Sequence, residues 1–506
     1  MVKRIGSIVA LCCVVCADAT RAGEPAQTVT MAAGARYGAG WLRSFFLGAH
    51  WRDAWEIPVE VPVLNLELFD GGLRPDRLSG GFETKNLHFK SGNGNVWAFR
   101  SVDKDPTRSL DPDTRDSILG DYFRDQTSTA NPYGPLVASQ LLEAAGVLHA
   151  RPQLAVLPED PRLGKFHSYA GMLGLIEERI EHRLEGASKT ADTVTLFERL
   201  ERRSDERVDA PAYLRARLID VLIGDWDRHL EQWRWARYEK DVERVWEPIP
   251  RDRDHAFTRF DGVIPSVVEY YSKVAGFDQS YAPIDKMTYT GRFTDRRFLV
   301  GLEKTQWEAV TSELVARLTD QVISDAVHCL PQPVYDKDGA DLEKALRSRR
   351  DALPAVSREY YRLLADRVDV RGTGQDEDFR VEREANGAVE IGIHLRDGKT
   401  GEKTESPYFH RTFQPDETSE IRLYTTGGAD RILVDGKTDR TIPVRVVAPA
   451  KAVDITDRSS QPSAIHVYAP LPDDPLPAPL PGTGPLRGEV HSDEGTSFYL
   501  MTGFTL

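Results

Sequence analysis

The sequence predicts an α+β protein in three parts: a small strand-rich lobe, a larger helical lobe and a small all-β, sandwich-like domain. Three observations carry this. Residues 78–180 mix short extended runs and turn residues with two helical stretches, and 181–368 is dominated by helical apolar spacing. Residues 369–450 return to short alternating runs punctuated by Asn386-Gly387 and Gly427-Gly428. At 506 residues and 40% hydrophobic, the chain has enough apolar side chain for each part to bury a core.

Residues 1–22 read as a signal peptide. Lys3 and Arg4 precede the apolar run Ile5 to Val15, and small-residue cleavage sites follow at Ala17-Asp18-Ala19 or Thr20-Arg21-Ala22. Lipoprotein processing at Cys16 is the weaker reading, because bulky Val15 stands where a small residue is wanted. Cleavage removes Cys12, Cys13 and Cys16, leaving Cys329 alone and so no internal disulfide or cysteine metal site. Net charge is −14, and −16 without residues 1–22, which argues against nucleic acid as a partner. No later run of 18 apolar residues is present, so no transmembrane span is expected. The expected location is exported: periplasmic, or peripheral to the outer membrane of a Gram-negative bacterium.

Residues 23–77 form an N-terminal extension whose aromatics Trp41, Phe45, Phe46, Trp51 and Trp55 are expected to pack on the core. In the small lobe, Gly80-Gly81-Phe82-Glu83 opens a strand, and a Ser91-Gly92-Asn93-Gly94 turn leads to a second strand, Val96 to Val102, carrying Arg100 with Lys104 just beyond. A glycine pair followed by a cation on the next strand could grip phosphate, but taken alone the stretch fits a plain hairpin with a solvated Arg better. Helices are expected over Asp113–Arg124 and Tyr133–Ala145, the latter closed by Gly146, and strands near Gln153–Leu157 and Ser168–Ile176. The acidic stretch Glu177-Glu178-Arg179-Ile180 ends this lobe. Farther on, helices are expected over Arg215–Ile223, Gln306–Val327 and Leu342–Val368, the last bent or interrupted at Pro354. Residues 451–506 hold a proline-rich linker, Pro470 to Pro485, and a tail.

Two carboxylate clusters stand at the centre, Asp225-Trp226-Asp227-Arg228-His229 and Pro250-Arg251-Asp252-Arg253-Asp254-His255, joined by a Trp-rich segment. Paired clusters of this kind suit divalent-metal phosphoryl transfer: one supplies an acid or base, the other holds metal. The alternative for each is a salt-bridged turn or solvated ion-pair network.

The first cluster resembles the catalytic loop of the atypical protein-kinase-like superfamily, which includes HipA-type toxin kinases, CotH spore-coat kinases, secretory-pathway casein kinases and phosphoinositide kinases. Leu222-Ile223-Gly224-Asp225-Trp226-Asp227-Arg228-His229 is similar to its Asp-x-His-x-x-Asn pattern, which follows an apolar helix ending in Gly. Pro250 to Phe257 is similar to the CotH-type Pro-Trp-Asp-Leu-Asp-x-x-Phe, and Gly80 to Leu87 to the HipA-type glycine loop. The resemblance spans roughly residues 78–330 and implies a two-lobed kinase-like core. It implies Asp227 and His229 in the catalytic loop, Gln232, Asp252 and Asp254 as metal ligands, and Gly80, Gly81, Arg100, Lys104, Glu178 and Ile180 around a nucleotide. Cofactors would be Mg2+ or Mn2+ and ATP or another nucleotide, with an unknown protein, glycan or lipid acceptor in the envelope.

Three departures stand out: neutral Gln232 replaces Asn, Arg100 replaces Lys, and the helix Glu that pairs with that Lys has no clear counterpart, Glu143 lying late in its helix. They leave open a non-catalytic, pseudokinase-like envelope binding or scaffold protein. A metal-dependent phosphoesterase is the third reading.

Overall fold

An all-antiparallel five-stranded sheet forms the first part, in the order Leu73–Leu78, Asn86–Ser91, Val96–Ser101, Leu173–Glu178, Gln153–Val156. The computed structural model describes residues 27–79, 84–182, 184–240, 243–397, 400–448, 453–460 and, as backbone, 465–468. The segments read as a signal peptide and as a proline-rich linker thus lie outside the described residues, as do Gly80 and Gly81.

Alternation along the strands sorts side chains to two cores. Leu87, Phe89, Trp97, Phe99 and Ile176 face a small core closed by Leu163 and Phe166. Val102, Val156, Leu173 and Leu175 face the main core, which includes helix Gly134–Ala145. That helix ends at Gly146 in the left-handed region, φ 70°, as expected from its sequence. The sheet begins upstream of residue 78, because Leu73–Leu78 pairs with Asn86–Ser91.

The main core is organised around helix Ala210–Ile223. Asp209 accepts from the Ala212 amide at its start, Gly224 ends it at φ 69°, and nearly every side chain from Tyr213 onward is buried. The Trp-rich segment is a hairpin, Trp233–Lys240 with Glu243–Pro250, within a four-stranded sheet. Trp233, Trp235 and Trp246 are wholly buried in it. The long predicted helices differ in detail. Gln306–Val327 is two helices, Lys304–Arg317 and Asp320–Val327, with Thr319 capping the second. Ala340–Ala365 runs through Pro354 without interruption.

In the C-terminal part, a four-stranded parallel sheet and a five-stranded mixed sheet share one apolar core, with Val370, Leu423 and Val446 from one facing Phe379, Ile391 and Val434 from the other. From Glu420 to Asp457 successive strands alternate between the two sheets.

The N-terminal aromatics divide. Trp51 and Trp55 are buried, but Trp41, Phe45 and Phe46 are 81%, 58% and 45% exposed, so the expectation that they pack is corrected for these three. They lie with Leu42 on the outward stripe of helix Trp41–Leu47, which packs beside helix Val263–Tyr271. Among the described residues no helix is long and apolar enough to cross a membrane.

Candidate functional site

Helix Ala210–Ile223 delivers the Asp-Arg-His loop into the interior: Asp225, Trp226, Asp227 and Arg228 are each at most 5% exposed. Gly224 is required at the exit, since a Cβ there would press on Phe277 and the backbone is left-handed. Arg228 is the clamp of this region. Its Nη1 donates to the carbonyls of Arg251 and Asp252 at 2.8 and 3.0 Å, and its Nη2 to that of Gln232 at 3.1 Å. One guanidinium therefore ties the first carboxylate cluster to the second.

Beneath it lies a buried ionic network. Arg217 bonds Asp220 and Asp295, each at 2.7 Å, and Arg253 bonds Asp220 and, at 2.9 Å, Asp225. Arg228 Nε lies 3.3 Å from Asp220. The salt-bridge alternative is thus the right description of Asp225 and Arg253, though buried rather than solvated. Burial works against the charged form of Asp220, yet Arg253, Arg228 and Arg217 outweigh it and hold its carboxyl low. For Asp225 burial dominates and its carboxyl is raised.

Asp227 stands apart from that network. Its Oδ2 is buried with no hydrogen-bond partner, 3.8 Å from His229 Nε2 and 3.9 Å from His255 Nε2. His229 Nδ1 accepts from the Glu231 amide at 3.3 Å, so the neutral ring carries its proton on Nε2, the nitrogen facing Asp227. The Gln232 side-chain amide lies 3.2 Å from the same Nε2.

A cleft of about 930 Å³, counted to its open mouth, runs between the five-stranded sheet and the Pro250–Asp254 segment. Trp97 and Phe99 face the small core, so Arg100 projects from the opposite face of its strand, toward Glu177 on the neighbouring strand. Arg100 Nη1 meets Asp252 Oδ2 at 3.1 Å, and its Nη2 lies 3.6 Å from Glu177. Lys104 pairs with Asp254. Burial opposes both charges of the first pair. The Arg100 and Lys104 cations nonetheless hold the Asp252 carboxyl far below the carboxylate range, and Asp252 with Glu177 raises Arg100. Asp252 adopts φ 53°, a left-handed conformation that costs a non-glycine residue about 1 kcal/mol or more. Its Oδ1 is buried without a hydrogen bond.

The cleft thus collects Arg100, Lys104, Glu178, Ile180, Asp252 and Asp254 of the sequence-derived candidates. Asp227, His229 and Gln232 do not line it; they connect to it through the Arg228 clamp and through His255, whose Nε2 lies 3.9 Å from Asp227 Oδ2. Glu143 does not approach Arg100. It bonds Arg151 at 2.7 Å, and Ser139 of its helix faces the cleft instead. Sequence reasoning missed Glu177 and His255, although alternation along the strand places Glu177 on the face of Arg100 and His255 sits within the second cluster. Among the described residues, no three His, Cys, Asp or Glu side chains converge as a metal site.

No protein-family model matches the chain, and no curated protein matches it. Among solved structures it is similar to the Helicobacter pylori proinflammatory kinase CtkA, at 12% identity over 54% of this chain and 93% of that one, with a TM-score of 0.31. So low a score leaves the functional assignment to the geometry of the cleft.

Proposed function

We propose that the protein is an exported phosphotransferase with a two-lobed kinase-like core, using a divalent metal and a nucleotide. The observation that carries this reading is the cleft in which Arg100 and Lys104 from the sheet meet Asp252 and Asp254 from the loop that Arg228 ties to Asp227. A bound metal–phosphate pair would exchange partners with this arrangement: the cations turn to phosphate oxygens, the carboxylates to the metal. Asp252 Oδ1, a buried carboxylate oxygen lacking a hydrogen bond, suits such an ion. Asp252 and Asp254 would hold it from the cleft, and Gln232, which lies outside the cleft lining, would join them only by turning its amide away from His229; when bound, the ion would neutralise charge on the transferred phosphoryl group.

Asp227 orients the acceptor hydroxyl and takes its proton as the new O–P bond forms and the donor's P–O bond breaks. His229 and His255 flank the carboxylate and stabilise the charge it carries before transfer. Glu177 takes the orienting part that a helix Glu would have, holding Arg100 from the adjacent strand.

A second reading, a non-catalytic binding protein, is favoured by one contact: the Gln232 amide is engaged with His229, and Gln brings no charge to a metal. Thermal unfolding separates the two. With Mg2+ and ATP at a hundredfold the dissociation constant, the protein should gain about 2.7 kcal/mol, and Asp252→Ala should lose that gain. Equal stabilisation of both proteins removes Asp252 from the site; none in either favours the non-catalytic reading.

A further inference from the structure

Charges lining the cleft are paired with one exception. Arg100 is held by Asp252 and Glu177, Lys104 by Asp254, Arg179 by Glu181, Arg253 by Asp220 and Asp225, and Glu178 is also partnered. Half-buried Arg251 makes no side-chain hydrogen bond or ion pair among the described residues; Arg179, Arg100 and Arg234 lie within electrostatic reach of it, as does one carboxylate, Glu181, which is already bonded to Arg179. Arg179 adds an unused donor. It is only 8% exposed, its Nε and Nη2 both contact Glu181 Oε1 at 2.9 Å, and its Nη1 is buried with no partner.

A cation partly removed from water beside three other cations, sharing Glu181 with Arg179 and making no ion pair of its own, costs free energy that this one carboxylate offsets only in part. Two guanidinium groups with spare donors, Arg179 from one side of the cleft and Arg251 from the Pro250–Asp254 segment, suit phosphate oxygens. A neutral base beside them would leave that cost in place.

We propose that Arg179 and Arg251 form a second phosphate subsite of the cleft, between residues 177–181 and the Pro250–Asp254 segment. The inference rests on the reading of Arg100, Lys104 and Asp252 as the transferring end. Its consequence is that the donor carries phosphate at both ends, either as an inorganic oligophosphate chain or as a nucleotide with a further phosphate on its sugar.

The test uses the full chain, metal-free, with inorganic tripolyphosphate followed by calorimetric titration. Native protein should bind, Arg251→Gln should bind about tenfold more weakly or worse, and Arg440→Gln, in the C-terminal part, should match the native protein. Arg251→Gln should also melt no lower than native protein without ligand, since it removes an unpaired charge. Equal binding by native and Arg251→Gln proteins overturns the subsite. Absence of tripolyphosphate binding while Mg2+ and ATP still bind overturns it too, and leaves the phosphotransferase reading standing. Failure of Mg2+ and ATP alone removes the nucleotide reading and keeps the subsite. AMP compared with adenosine 3′,5′-bisphosphate then separates the sources: an Arg251-dependent gain from the second phosphate marks a nucleotide, no gain an inorganic chain.

Discussion

At the scale of single residues, the informative contrast is between carboxylates of similar burial and different partnership. Asp220 and Asp225 are each paired with two or more arginines and Asp295 with Arg217 and Tyr213, whereas Asp227 Oδ2 has two imidazole edges nearby, at 3.8 and 3.9 Å. A buried carboxylate oxygen with no hydrogen bond is costly to keep; Asp225 Oδ1 is another, but its carboxylate is paired with Arg253, and at Asp227, which has no such cation, a role in moving a proton explains the retention. Asp227→Asn preserves shape and removes the base. It should lower phosphoryl transfer by about 10²- to 10⁴-fold without lowering the melting temperature. A variant that transfers at the native rate would show that Asp227 is not the base, and one that melts well below the native protein would place it in the structural network instead.

At the scale of elements, what positions the site is the junction between the Asp227 loop and the Pro250–Asp254 segment, closed by Arg228. Arg228→Met keeps volume but removes one of the arginines that neutralise buried Asp220 and Asp225, leaving them to Arg217 and Arg253, and leaves the carbonyls of Arg251 and Asp252 without their donor. Loss of about 3 to 5 kcal/mol by urea unfolding is expected, larger than an exposed pair would cost. A loss under 1 kcal/mol would mean that the loops are held by packing alone. How much could be seen in the sequence follows from the same junction. The helix ending at Gly224 and the hairpin leading to Arg100 were legible because both rest on local signals, a left-handed cap and strict alternation. The pairing of Trp233–Lys240 with Glu243–Pro250 was missed because the sequence between the two runs has no Gly or Asn to announce a reversal. Outward-facing Trp41, Phe45 and Phe46 were misplaced because apolar character alone does not say which stripe of a helix a neighbour covers. Pairing of Arg100 with Glu177 rather than a helix Glu is a tertiary fact carried by strand register.

At the scale of the whole molecule, the main core and the C-terminal core meet through Val300, which packs on the latter, and through polar contacts: Arg411 to the Val300 carbonyl at 2.5 Å, Tyr361 to Glu417 at 2.7 Å, and the Gly374 amide to the Glu201 carbonyl at 2.6 Å. Only the first core contains the cleft, and only the second contains Asp430, so the two should answer to different variables. Burial, then the neighbouring Glu377 carboxylate, pushes the Asp430 carboxyl up to about 7, against the Glu377 amide that donates to it. An unfolded Asp titrates near 3.9, so between about pH 4 and 7 the folded state holds a proton that the unfolded state releases. Stability from this group is therefore complete at the acid end and lost as pH rises through 7. Calorimetry from pH 5 to 8 should show two transitions. The C-terminal one should fall with rising pH and flatten in Asp430→Asn, while Mg2+ with ATP should raise only the other. A single transition that moves with both pH and nucleotide would mean that the polar contacts fuse the two cores into one cooperative unit, and the C-terminal sheets would then sense occupancy of the cleft.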